Sequence, residues 1–394
     1  MGELQRQHER GSDGSADPGF LAMLLVGGLG TRLRSVVADR CKPMAIVGDE
    51  PFLARVLDQL AAAGCRRAVL CTGHLGEGLE REFGAEHGGM PLVYSREPEP
   101  RGTAGALRRA LGLVDDTHVL VVNGDSYCDV DLRAFVRWAR GRSAASLVTT
   151  EVADTRRFGR VQADENGRIV RFVEKGEAGA GAIHAGLCWL PVAAIAAVPT
   201  ERPASFEQDL LPGLIERGFY AYATRAAFLD IGVPDAYADA EAFFARLAAA
   251  RARPRQGLLV VDRDGTLIED RHYLADPQGV TLLPGVVDGL RAFAAAGYEL
   301  AVITNQSGLG RGLFDDSALA AVHDELQHQL SRHGITVRGI WHCPHTPEDR
   351  CACRKPEPAL LEQALTQLGY RRDQCLVVGD KRCDIELGQR LGAR

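Results

Sequence analysis

Residues 257–266 read GLLVVDRDGT, and this stretch decides the fold. Leu258 to Val261 form a short unbroken apolar run with two β-branched residues, the pattern of a strand buried on both faces of a parallel sheet. The run stops at Asp262, and a second carboxylate, Asp264, follows two residues on. Carboxylates at the end of such a strand stand at the carboxyl edge of the sheet, where open α/β folds bind ligands. Gly265 permits the sharp turn that keeps both side chains over one site. Two close carboxylates suit phosphate-ester hydrolysis. Asp262 attacks phosphorus and becomes an acyl phosphate; Asp264 protonates the leaving oxygen and then deprotonates a water. Their mutual repulsion calls for a cation, usually Mg²⁺.

The run of apolar strand plus DxDGT resembles the haloacid-dehalogenase (HAD) phosphatase superfamily. In that fold the motif sits on the first strand, yet some 250 residues precede it here, so another domain comes first. The chain has 394 residues, 46% of them hydrophobic and 25% charged, enough for two domains with their own cores. Its net charge of −6 gives no basic surface for nucleic acid, and an anionic substrate must be met by local cations. No segment approaches a membrane span. LAMLLV at 21–26 is brief and lacks a basic leader, so it is not a signal peptide. Ten cysteines, half of them scattered, fit free thiols in a reducing cytoplasm. Residues 1–19 are polar and read as a disordered tail.

Residues 20–245 form the first expected domain. Phe20 to Val26 is a buried strand feeding GGLGTRLRSVVADRCKP. Gly27, Gly28 and Gly30 let backbone amides approach a ligand, a helix start beyond them favours phosphate, and Arg32 and Lys42 supply fixed positive charge. A dinucleotide fingerprint would need glycine at Leu33, and a P-loop would need Gly-Lys-Ser/Thr in place of Gly30-Thr31-Arg32. Alternating strands and helices follow, implying a mostly parallel sheet. Two strands end in acids: VVNGD at Asp125 and FLDIG at Asp230, which together could hold one Mg²⁺ against a nucleoside triphosphate. Pro234 to Arg253 reads as a helix stopped by Pro254, with residues 246–256 as a short basic linker.

In order, GGLGTRL, KPM, PRGTAGAL, VVNGD, FVEK and LDIGVP resemble the sugar-1-phosphate nucleotidyltransferases, in particular the D-glycero-D-manno-heptose 1-phosphate guanylyltransferases. The resemblance implies a Rossmann-like (GT-A-like) mixed sheet. It implies that Gly27, Gly28 and Arg32 bind nucleotide phosphates, that Lys42 stabilises the transferring phosphoryl group, and that Gly102 and Thr103 line the nucleotide and sugar pocket. Asp125 and Asp230 then hold Mg²⁺, and Glu174 and Lys175 face the sugar phosphate. Ala185 stands where relatives often carry asparagine.

Residues 257–394 form the second domain. After DRDGT come Asp270 and Tyr273 in a polar turn near the site. A strand from Tyr298 ends in Thr304-Asn305-Gln306-Ser307, whose hydroxyls and amides can grip a phosphoryl group, with Arg311 as an added charge. Cys343, His345, Cys351 and Cys353 have the donor types and number of a closed tetrahedral Zn²⁺ site, structural rather than reactive. Arg354 and Lys355 follow at once and aim two cations at the substrate. The strand Cys375 to Val378 leads to Asp380, a third carboxylate for Mg²⁺ beside Asp262 and Asp264. Lys381 is a further phosphate contact, and Asp384 a cap or a residue behind the site. TNQSGLGRG, the cysteine loop, CRKP and VGDK resemble the D-glycero-D-manno-heptose-1,7-bisphosphate 7-phosphatases, implying a HAD-like Rossmannoid parallel sheet with a zinc loop. Relatives usually add a strand and a helix beyond the last motif, so an incomplete sheet edge is expected.

The expectation is therefore one α/β chain with two active sites, using Mg²⁺ and Zn²⁺ in the cytoplasm. One site hydrolyses the 7-phosphate of a heptose 1,7-bisphosphate. The other transfers a nucleotidyl group, GMP from GTP, to the heptose 1-phosphate, feeding lipopolysaccharide or similar polymers. The alternative is a mannose- or glucose-1-phosphate nucleotidyltransferase fused to a histidinol-phosphatase-like unit.

Overall fold

The computed structural model describes residues 19–28, 33, 40–73, 76–173, 176 and 178–393. Arg32, Glu174 and Lys175, and the tail apart from Gly19, lie outside the described residues.

The first sheet is built outward from Phe20–Leu25. This strand pairs in parallel with Cys65–Thr72 on one side and with His118–Asn123 on the other. Met90–Arg96 extends the parallel half. Beyond His118–Asn123 the polarity reverses: Gly181–Pro191 runs antiparallel to it and to Ala145–Val152. Arg160–Ala163 and Ile169–Val173 pair antiparallel at the far side. The sheet is thus mixed rather than mostly parallel, because residues 145–191 return by strands instead of helices. Both faces are covered. Ala22 and Leu24 face the core that holds the Phe52–Ala62 helix, while Leu21 and Met23 face the core under Gly102–Ala110. This alternation within one apolar run is what a doubly covered strand requires. The register sets Leu25 beside Asn123, so the glycine loop and the Asn123-Gly124-Asp125 turn leave the sheet at one level.

The second sheet has four parallel strands, in the order Val337–Cys343, Tyr298–Asn305, Gly257–Val261, Cys375–Val378. Gly257–Val261 is buried along its whole length, with Leu259 and Val261 on one face and Leu258 and Val260 on the other. Cys375–Val378 is an edge strand, and Val378 is exposed.

The expected helix from Pro234 to Arg253 divides in two, Pro234–Ala238 and Ala240–Arg251, with the break at Asp239. Phe243 is buried, and Phe244 packs edge-on against Phe52 and Tyr127. Most of the expected linker is therefore helix anchored on the first domain.

The two sheets are also joined side to side. The Leu132–Arg142 helix meets the Asp316–Ser331 helix. Arg137 donates to Asp324 (3.3 Å) and Gln327 (3.1 Å). The Trp138 indole donates to Glu325 at 3.3 Å, and Arg142 does so at 2.9 Å. The His328 ring lies 4.7 Å from both Trp138 and Tyr222, and its Nε2 accepts the Ala223 amide at 3.2 Å.

Two candidate active sites and a candidate metal centre

In the first domain, a cavity of about 880 Å³ opens where the parallel strands end. Gly27, Gly28, Lys42, Gly102, Thr103 and Asp125 all line it. Lys42 is mostly buried and pairs with Asp125. Asp230 reaches the same place because its strand, Phe228–Asp230, pairs antiparallel with Ser126–Cys128, and the Ile231 amide donates to the Asp125 carbonyl at 3.1 Å. Its Oδ1 accepts the Gly232 amide at 2.7 Å. Burial, then the neighbouring Asp125 charge, raises the Asp230 pKa, with Lys42 pulling the other way. A carboxylate pair crowded until one member resists ionisation suits a divalent cation. Gly102 has φ +75, and a Cβ there would meet the Ala204 carbonyl oxygen at 2.4 Å, so only glycine fits this turn. The Thr103 hydroxyl accepts the Phe206 amide at 2.8 Å, fixing the far wall of the cavity rather than pointing freely into it.

Two lining residues escape the sequence motifs. Glu97 is half-buried at the end of the Met90–Arg96 strand, with Oε1 buried and without a hydrogen-bond partner, and burial raises its pKa. His184 stacks on Phe206, and burial takes its pKa down to about 4, which keeps the ring neutral at pH 7. Glu97 stands three residues before the PRGTAGAL run, and an acid among prolines before a glycine turn was the available signal.

In the second domain, Asp262 and Asp264 leave the same strand in different environments. Asp262 is buried and pairs with Lys355 Nζ at 2.8 Å; the same ammonium pairs with Asp384 at 2.7 Å and donates to the Ile303 carbonyl at 2.7 Å. Burial raises the Asp262 pKa, Lys355 opposes the rise, and Asp384 adds to it. Gly265 has φ +83, and a Cβ there would strike the Asp380 carboxylate at 2.5 Å. The turn therefore brings Asp380 over the motif. Carboxylate oxygens of Asp262, Asp380 and Asp384 all lie within 4.8 Å of one another, a donor set for a hard cation. The Asp264 carboxylate is not in that set, because Arg263 and Gln306 occupy it. Asp384 takes the place expected for it.

The TNQS stretch mostly faces inward. Thr304 and Gln306 turn to Asp264, at 3.4 and 2.7 Å. Asn305 brackets the Lys355 backbone, donating to its carbonyl at 3.2 Å and accepting its amide at 3.0 Å. Ser307 begins the short Ser307–Gly310 helix. Arg354 donates to the His345 carbonyl at 3.1 Å, and Arg311 pairs with Glu348 at 3.7 Å. Lys381 pairs with Asp270 at 3.0 Å, and Tyr273 is exposed with φ 55. Lys355, not Arg354, is thus the cation aimed at Asp262; Lys381 and Tyr273 sit at the mouth.

The Cys343, His345, Cys351 and Cys353 donors gather as expected. The three Sγ atoms are 3.3, 3.4 and 3.5 Å apart, and His345 Nδ1 is 3.2 Å from Cys353 Sγ and 3.7 Å from Cys343 Sγ. Bonds of about 2.0–2.3 Å to one tetrahedral ion place ligand atoms roughly 3.5–3.8 Å apart. The donor set fits such an ion with no position left for water.

The nucleotidyl transferase family matches residues 21–246, more than half of the chain. The chain belongs to that family. A HAD-hydrolase-like family matches residues 352–394, so a HAD-like hydrolase unit follows the transferase unit. The D-glycero-alpha-D-manno-heptose 1-phosphate guanylyltransferase of Aneurinibacillus thermoaerophilus is 36% identical over 222 residues, 56% of this chain and 96% of that protein. A probable D-glycero-D-manno-heptose-1,7-bisphosphate 7-phosphatase of Thermoplasma volcanium is 37% identical over 134 residues, 34% of this chain and 92% of that protein. The crystal structure of HddC from Yersinia pseudotuberculosis complexed with GMP-PN is similar at a TM-score of 0.52 and 32% identity, covering 57% of this chain and 99% of that one. Among the described residues no helix is long and apolar enough to cross a membrane.

Proposed function

We propose that the chain is a bifunctional nucleotide-sugar enzyme acting on D-glycero-D-manno-heptose phosphates. The hydrolase site removes the 7-phosphate of the 1,7-bisphosphate, and the transferase site joins the resulting 1-phosphate to GMP from GTP, releasing pyrophosphate. The observation that carries the reading is the pairing itself. One relative is named for the 7-phosphatase and another for the guanylyltransferase, and the product of the first is the acceptor of the second.

At the transferase site the sugar-phosphate oxygen attacks the α-phosphorus and pyrophosphate leaves, so positioning and charge neutralisation carry the rate. Lys42 neutralises charge on the transferring group, and Asp125 with Asp230 would hold Mg²⁺, which would supply further charge neutralisation at the phosphates. Glu97 supports guanine as the base: an unpartnered carboxylate oxygen in the cavity suits the N1–H and N2–H₂ donors that only guanine presents together. At the hydrolase site Asp262 is the nucleophile, Asp264 exchanges the proton, Lys355 holds Asp262 ionised, and Asp262, Asp380 and Asp384 would hold Mg²⁺. Cys343, His345, Cys351 and Cys353 would hold structural Zn²⁺. Arg32, Glu174 and Lys175 keep their expected roles at the phosphates and the sugar. The cytoplasm, which supplies both nucleotide and sugar phosphates, is the proposed location.

The test mixes the protein with Mg²⁺, GTP and the bisphosphate and follows inorganic phosphate, pyrophosphate and the nucleotide sugar. GDP-heptose formation is expected. Phosphate release with no nucleotide sugar, or faster turnover of mannose 1-phosphate or histidinol phosphate in parallel assays, would overturn the reading.

A further inference from the structure

Arg263, the residue between the two motif aspartates, has no role in the reaction as outlined, yet it is the largest fully buried side chain among the described residues. Burying a guanidinium is costly unless its donors are used. Here Nε and Nη2 are used on Asp264 and Gln306, while Nη1 is buried without a hydrogen-bond partner. Nε lies 3.1 Å from both carboxylate oxygens and Nη2 lies 2.9 Å from Oδ1. Nη2 also donates to Gln306 Oε1 at 3.0 Å, and Gln306 Nε2 donates back to Asp264 Oδ2 at 2.7 Å. Gln306 is itself buried and tied down, its amide donating to the Cys343 carbonyl at 2.7 Å and its Nε2 to Thr304 Oγ1 at 2.7 Å. A carboxylate gripped from two sides by buried donors has its orientation set by those donors.

We infer that Arg263 and Gln306 are positioning residues that hold Asp264 for proton exchange with the leaving-group oxygen. The inference rests on the phosphatase reading of this site. In the first step an Asp262 oxygen bonds to phosphorus, the bond from phosphorus to the sugar oxygen breaks, and that oxygen takes its proton from Asp264. In the second step water bonds to phosphorus and passes a proton to Asp264. The bond from phosphorus to Asp262 then breaks, releasing phosphate. A rigid clamp fixes the one group that must reach the leaving oxygen and later the water.

Leaving-group dependence separates positioning from mere support of the fold. An alkyl oxygen needs a proton to depart; p-nitrophenolate does not. The full chain is assayed as Arg263→Met, Arg263→Lys and Gln306→Leu, reading kcat/KM, which reports the first step, with the sugar bisphosphate and with p-nitrophenyl phosphate. For Arg263→Met the expected result is a loss of about 10²-fold on the sugar phosphate, the scale of general acid catalysis, with less than about fivefold loss on the aryl phosphate. Retained aryl turnover also shows that the variant is folded. Lysine, a point charge without the planar fork, should restore little. Gln306→Leu should show the same selectivity to a smaller extent. Equal losses on both substrates, or no loss on either, would overturn the inference. Asp262→Asn is the separate control: if it still hydrolyses the aryl phosphate, the phosphatase reading itself fails.

Discussion

Lys355 is the residue on which the hydrolase site turns. Its ammonium is buried between Asp262 and Asp384, so removing it leaves two buried carboxylates without their shared partner. Lys355→Met should destabilise the hydrolase unit by about 3–5 kcal/mol, the usual cost of breaking a buried ion pair from one side, and abolish phosphate release while nucleotidyl transfer continues. Phosphatase turnover within threefold of the native protein would contradict this. Glu97→Gln exchanges one acceptor for a donor facing the base, so the ratio of kcat/KM for GTP over other nucleoside triphosphates should fall about tenfold or more; an unchanged ratio would remove Glu97 from base selection. At this scale the sequence was informative wherever a buried strand ended in an acid, as at Asp125, Asp230, Asp262 and Asp380. It was less so for Thr304-Asn305-Gln306, read as three phosphate ligands. A strand alternates its side chains, and here Thr304 and Gln306 turn to Asp264 while Asn305 turns to Lys355. Arg263 was illegible because a charged residue in a tight turn looks solvent-exposed until its partners are known.

The loop from Cys343 to Lys355 shows how an element without a core can be held. Its cysteine and histidine donors converge, Arg354 folds back to the His345 carbonyl, and Lys355 leaves the loop directly toward Asp262. Removing a structural ion should release the loop and with it Lys355. Cys351→Ser, or dialysis against a strong chelator, should therefore cost most of the phosphatase activity, with zinc released in about equimolar amount and nucleotidyl transfer retained. Full phosphatase activity in a zinc-free protein would refute the assignment. The spacing of the four donors made this loop legible. The antiparallel half of the first sheet was not: Arg160–Ala163 (RVQA) has no apolar run, and Ile169–Val173 (IVRFV) is five residues long and broken by Arg171. The break at Asp239 was equally silent, since both helical pieces share one alanine-rich composition.

Across the whole molecule, the seam between the Leu132–Arg142 and Asp316–Ser331 helices ties the two sheets together, and no motif announced it because its partners lie about 190 positions apart in sequence. Trp138→Ala removes an indole packed on His328 and its bond to Glu325, at a cost of about 3–5 kcal/mol for the truncation. Calorimetry should then resolve two unfolding transitions where the native protein gives one; two transitions already in the native protein would mean the units were never coupled, and one in both would remove Trp138 as the coupling residue. The seam also has a sign with pH. Burial, helped by Arg142 and Arg332 and opposed by Glu325, holds the His328 pKa below its ordinary 6.5. The unfolded chain therefore binds a proton that the folded one refuses, so stability is full above about pH 6.5 and declines as the pH falls from there toward the folded pKa. The loss approaches about 1.4 kcal/mol for each unit traversed. Denaturant unfolding at pH 7.5 and 5.5 should show that loss, and His328→Gln should reduce it; an identical pH dependence in the variant would exclude this histidine as its source. Ala223, Tyr222 and Trp138 of the first domain meet Ser331, His328 and Glu325 of the second without help from the connector, so recognition should survive loss of the covalent tether. Two separately expressed polypeptides cut near Pro254 should find each other on mixing and co-elute as a one-to-one complex.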